Sequence, residues 1–140
     1  MKTTFLILIL CLFQRSFCQQ NYLKTWATYY GDESVVMTDS EIDSQRNIYM
    51  VGKVQQNTSP QYNITTLGAH QTLFGGGEAD GFISKFNSDG LLLWSTFYGG
   101  EDFDRIHDIS IDKYDNIYCI VSTCSSTGKC PIKRISCRNI

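Results

Sequence analysis

Residues 81–123 read GFISKFNSDGLLLWSTFYGGEDFDRIHDISIDKYDNIYCIVST, and this stretch decides the fold. Residues 81–86 alternate apolar and polar, as a half-buried strand does. Asn87-Ser-Asp-Gly90 ends on an Asp-Gly pair between two such runs, a strong short-range hairpin signal. Residues 91–98 are rich in aromatic and β-favouring side chains and close on Gly99-Gly100. Ile109 and Ile111 then alternate with Asp108, Ser110 and Asp112. Asp112-Lys-Tyr-Asp-Asn116 has the residues of a turn, because Asp and Asn tolerate left-handed backbone and bond their own chain. The reading is four sequential antiparallel strands, 81–86, 91–98, 106–112 and 116–123. Past residue 18 no stretch sustains a 3.6-residue apolar period, so helix content is expected to be close to nil.

Working outward, the stretch has a partial copy of itself upstream. Trp26-Ala-Thr-Tyr-Tyr-Gly31 matches Trp94-Ser-Thr-Phe-Tyr-Gly99 at an offset of 68 residues. Asp39-Ser-Glu-Ile-Asp43 matches Asp108-Ile-Ser-Ile-Asp112 at 69, as does Asn47-Ile-Tyr49 with Asn116-Ile-Tyr118, and Gly100 accounts for the extra residue. Ten of the 24 positions from Trp26 to Tyr49 are identical, well beyond coincidence, so the chain carries an internal repeat. A repeated four-stranded meander is the sequence signature of a β-propeller blade. The expected organisation is a signal segment at 1–18, a partial propeller at 19–123 and an irregular, Cys-containing basic tail at 124–140. Within the propeller the blade-like repeats are placed at about 22–53 and 81–123, with a polar linker at 54–80. That is three strands plus four, an all-β fold with under two blades. A propeller needs roughly four to eight blades to close.

The pieces Gly77-Glu-Ala-Asp80-Gly-Phe82-Ile-Ser-Lys85-Phe-Asn87-Ser-Asp89-Gly90, Trp94-Ser-Thr96-Phe-Tyr98-Gly99-Gly100 and Asp112-x₃-Asn116-Ile-Tyr118 resemble, in that order, the β-propeller repeat family written SBBP. The resemblance covers roughly residues 22–123. It implies extracellular or cell-surface propellers of several blades, and it brings no catalytic residues and no defined ligand.

The N-terminus points to the same compartment. Lys2 precedes an apolar run from Phe5 to Phe13, and Ser16-Phe-Cys18 puts small side chains at −3 and −1, so cleavage before Gln19 is expected. The run is shorter than the roughly 20 apolar residues of a membrane span. Without residues 1–18 the chain has 10 basic and 14 acidic residues. Residues 19–123 are net −8, and 124–140 are net +4 through Lys129, Lys133, Arg134 and Arg138. An acidic body argues against nucleic acid, which needs clustered Lys and Arg.

Four cysteines remain, Cys119, Cys124, Cys130 and Cys137, all disulfide candidates in an oxidising compartment, with the pairing left open. Their spacing lacks the paired C-x₂₋₄-C units of a zinc site. Asn57-Thr-Ser59 and Asn63-Ile-Thr65 are glycosylation sequons on the polar loop, making Asn57 and Asn63 candidate sites. Gly75-Gly-Gly77 lacks the Gly-Lys-Ser/Thr and following helix of a phosphate loop and is read as a flexible lead into a strand. Glu101, Asp102, Asp104 and Asp108, echoed by Asp32 and Glu33, lack the ordered spacing of a calcium loop and are read as a solvated rim. His70 and His107 have no nucleophile elbow to serve, and Trp26 and Trp94 are read as blade packing. No catalytic, cofactor or metal residue is assigned. The expectation is a secreted, non-enzymatic interaction module for an extracellular protein or glycan, with no membrane span once the signal is removed and with self-association through blade edges. The alternative is a truncated fragment of a longer propeller without independent activity.

Overall fold

A computed structural model describes residues 26–56, 64–124 and 131–137. They contain seven strands and no helix: β1 (Val35–Ile42), β2 (Ile48–Gln55), β3 (Ala79–Phe86), β4 (Leu92–Tyr98), β5 (Asp104–Ile111), β6 (Ile117–Thr123) and β7 (Ile132–Cys137). They form two antiparallel meanders, β1-β2-β3-β4 and β5-β6-β7. The sheets pack face to face as two successive blades would, so the all-β, propeller-like architecture holds.

Three hairpin turns are built alike. Asp43, Asn87 and Asp112 each accept two or more backbone N–H groups on the side chain, from residues 45 and 47, 89 and 91, and 114 and 116. In each, the residue three places on has positive φ: Arg46 at 67°, Gly90 at 83° and Asp115 at 61°. The Asp-x₃-Asn spacing is thereby explained, since Asn47 and Asn116 also donate side-chain N–H groups to Asp43 and Asp112.

β3 is buried on both faces. Its Ile83 joins Tyr49 and Val51 of β2 and Ile106, Ile109, Ile117, Cys119 and Val121 of the second sheet in the inter-sheet core. Phe82 points the other way, into a second cluster with Val54, Ile64 and Phe97, against which Tyr30, Val35, Met50 and Phe74 pack. The Tyr30 hydroxyl reaches Ser95 Oγ at 2.7 Å and also Ser84 Oγ, so two buried serines of neighbouring strands are satisfied by one phenol.

The sheet break falls elsewhere than the sequence suggested. Residues 81–86 and 91–98 pair with the strands before them, and 106–112 and 116–123 begin a new sheet. The 54–80 linker therefore lies within the first sheet rather than between blades. The break is at Gly99-Gly100, a short link easily taken for a hairpin. A meander has the same strand sequence wherever its breaks lie, and only pairing reveals them. Ile48–Gln55 runs antiparallel to Ala79–Phe86 along its full length. The long connection folds back on β4, with Thr66 N–H donating to Ser95 C=O and Phe97 N–H to Gln71 C=O, both at 3.0 Å. It closes an edge expected to be open. Residues 26–30, expected as a strand, form none, because Tyr30 turns into the face of the sheet instead. The tail, expected to be irregular, supplies β7, which pairs with β6 from Ile117↔Cys137 to Ser122↔Ile132.

Candidate functional site

The residues that join the two sheets define the chemistry of the molecule. Bulges interrupt the β1–β2 register between Met37 and Asp39 and the β5–β6 register between Ile106 and Asp108. These are equivalent points of the 69-residue repeat. From the first bulge Thr38 Oγ1 donates to Ile106 C=O at 2.6 Å, and Asp39 Oδ2 accepts Ile109 N–H at 3.0 Å. Ser44 donates through N–H and Oγ to the Asp115 carboxylate at 2.9 and 2.6 Å. The Ile109 N–H holds Asp39 below the usual carboxylate range. Its hydrogen bond with Asp39 pushes Asp108 above that range.

The face of the first sheet that receives the second is repeated on the second sheet's far side. Asp39, Tyr49 and Val51 correspond to Asp108, Tyr118 and Ile120. Lys85 Nζ sits 4.9 Å from the Tyr49 ring centre, and Arg134 sits 4.9 Å from that of Tyr118. Lys85 also pairs with Asp43 at 3.2 Å, while Tyr118 donates to Asp112 at 3.2 Å. Burial opposes the charge on Asp43, but hydrogen bonds from Asn47 and Lys85 still bring its carboxyl below the usual range. The Asn116 side-chain hydrogen bond leads in lowering Asp112 to about 2. Coverage is what differs between the faces. Val51 is fully buried by the second sheet, whereas Ile120 is 40% exposed beside a groove of about 280 Å³ lined by Asp108, Ser110 and Arg134.

At the opposite edge of the junction, two glycine loops lie backbone against backbone. A Cβ on Gly75 would sit 2.4 Å from Gly100 O, and one on Gly77 would sit 2.4 Å from the Asp102 carbonyl carbon. The Gly75–Gly77 segment is therefore a close contact and not the flexible lead the sequence suggested. Asp80 accepts Gly75 N–H, and Gln71 bridges the loops by donating to Asp80 Oδ2 at 3.2 Å and accepting Gly99 N–H at 3.0 Å. Asp104 Oδ2 accepts Gly100 N–H at 2.7 Å. Burial, with the Asp104 charge adding to it, raises Asp80 to about 6 against the lowering from Gly75.

The acidic cluster read as a solvated rim is thus divided. Glu101 is exposed, Asp104 is buried beside Asp80, and Asp108 meets Asp39. No sequence motif linked residue 80 to residue 104, because the pairing depends on where the sheet breaks. His70 stacks on Tyr98 with ring centres 6.4 Å apart, and His107 Nε2 contacts Ser122 Oγ. Trp94 packs edge-on against Tyr49 in the inter-sheet core, while Trp26 donates to Ser88 C=O at 2.8 Å over the 87–91 turn. Cys119 is buried in the core, and Cys124 is disulfide-bonded. Asn57, Asn63, Cys130, the side chain of Cys137 and the signal segment expected at 1–18 lie outside the described residues. Among the described residues no helix is long and apolar enough to cross a membrane. Neither the protein-family models nor the curated proteins give a match to this chain.

Proposed function

We propose that the chain is an exported, non-catalytic interaction module of the SBBP-like propeller type, and that it binds through the far face of its second sheet. One observation carries the reading. That face repeats, position for position at Asp108, Tyr118 and Ile120, the face of the first sheet that already holds a sheet. Its natural occupant is a further meander of the same repeat, with aliphatic side chains like Ile106 and Ile109 and a free edge N–H for Asp108. Covering the exposed Ile120 stabilises such a contact at about 25 cal/mol per Å² of apolar area buried. Export is supported by the Lys2, apolar-run and Ser16-Phe-Cys18 pattern. N-terminal sequencing of protein recovered from the medium is expected to start near Gln19, and an intact Met1 would refute that part.

Sedimentation of the purified chain over a rising concentration series tests the binding face. Self-association that Ile120→Lys abolishes is the expected result. Association unchanged by Ile120→Lys, or a monomer at every concentration, would contradict a partner carried on a second copy. A second reading, favoured by the same repeated face, is that further repeat units of a longer chain cover it. Additional Trp-Ser-Thr-aromatic-Tyr-Gly units in the flanking reading frame would favour that reading.

A further inference from the structure

The junction between the glycine loops contains two carboxylates that the packing of the sheets does not account for. Asp80 is 0% and Asp104 1% exposed, and the Oδ1 atom of each is buried with no hydrogen-bond partner among the described residues. Among those residues neither is in an ion pair; the pair formed is Lys85–Asp43. Both carboxylates lie against Gly99, since a Cβ there would sit 2.6 Å from Asp80 Oδ1 and 3.1 Å from Asp104 Oδ2. Two buried anions without a counter-charge are costly, and a fold retains them only by neutralising them. The other oxygens of both are fixed by Gly75, Gln71 and Gly100, so the two carboxylates are held in place with one oxygen each left over.

We propose that Asp80 and Asp104 bind a hard divalent cation, calcium in kind, that bridges the two sheets at the Gly99-Gly100 link. Calcium takes about six to eight oxygen ligands in flexible geometry. No group of three or more His, Cys, Asp or Glu side chains converges among the described residues. The remaining ligands are therefore backbone carbonyls and water. The Gly99 and Gly100 carbonyls lie against Gly75 in the same junction. A cavity of about 360 Å³ opens onto Asp104 between His70, Tyr98 and Lys133, giving the ion and its waters a way in. Lys133 lines the same cavity, so its positive charge disfavours a cation there. Copy one of the repeat has Val35 where copy two has Asp104, so the site belongs to this junction alone among those described.

The test is terbium luminescence on the purified, chelator-treated chain, sensitised through Tyr98 and Trp94 and displaced by calcium. One saturable equivalent is expected, weakened at least tenfold in both Asp80→Asn and Asp104→Asn. It should be unchanged in Asp108→Asn and tightened several-fold in Lys133→Ala. Melting temperature with and without calcium at matched ionic strength is a second readout on unmodified protein, and it should rise. Absence of saturable binding would overturn the proposal. So would equal loss in Asp108→Asn, or a melting temperature that calcium leaves unmoved while falling pH raises it, which would assign the leftover oxygens to a shared proton.

Discussion

Gly81 and Ile106 meet across the inter-sheet contact, one from β3 and one from β5, and substituting both tests the contact itself. A Cβ on Gly81 would stand 2.9 Å from Ile106 Cγ1 and 2.9 Å from Tyr98 O. Ile106 is fully buried, so it has nowhere to retreat. Gly81→Ala therefore overpacks the junction, at a cost of about 1–3 kcal/mol. Ile106→Ala leaves a cavity in the same place and costs about 2–5 kcal/mol. In the double variant the new methyl enters the space the isoleucine vacated, so the two losses should overlap by about 0.5–3 kcal/mol. The rescue is partial, because the Tyr98 carbonyl remains close to the added Cβ. Urea unfolding followed by tryptophan fluorescence gives the four free energies of the cycle. Costs that simply add, to within about 0.5 kcal/mol, would mean that the sheets do not pack on each other here.

Other expectations follow from the same geometry. Tyr30→Phe leaves the Ser84 and Ser95 hydroxyls bonded to each other but removes the phenol that joins them, and should cost about 1 kcal/mol in chemical denaturation; an unchanged midpoint would count against Tyr30 lying in the sheet face. Arg46→Gly should stabilise by up to about 1 kcal/mol by relieving positive φ, whereas Asp115→Gly should not, because it also loses the Ser44 hydrogen bonds. Equal effects of the two on melting temperature would refute the staple between the turns. In chelator, the raised Asp80 makes the folded state bind more protons than the unfolded one between its ordinary value near 4 and about 6. Stability should therefore rise as pH falls through that window, and then fall further down as the depressed Asp43 and Asp112 protonate. Asp80→Asn should flatten the upper limb alone, and identical profiles for the two proteins from pH 4 to 7 would contradict the assignment.

Local structure was legible in the sequence to a degree that the larger grouping was not. Asn87-Ser-Asp-Gly90 and the two Asp-x₃-Asn turns carry their geometry in side chains that bond their own backbone, and the strands around them start and stop within about two residues of expectation. The phase of the sheets is a non-local property. Whether Gly99-Gly100 turns back along the same sheet or crosses to the next is decided by whether β2 pairs with β3, more than 20 residues away across the loop. The Asp80–Asp104 pair inherits that uncertainty, since its members are neighbours only when the break lies between them. Residues 132–137 hid as a strand because Lys133, Arg134 and the cysteines suggested a basic tail, while Ile132 and Ile135 supply the apolar points. Trp26-Ala-Thr-Tyr-Tyr-Gly31 misled in the other direction, since a close copy of β4 by sequence packs as a loop.

The placement of the sheet break is the claim on which the junction, the repeated face and the cation site all rest, and backbone NOEs from isotope-labelled protein test it most directly. Cross-strand contacts between Met50 and Ser84 and between Val51 and Ile83 are expected, with no ladder between β4 and β5. A ladder joining residues 92–98 to 104–111, with the Met50–Ser84 contact missing, would contradict the account.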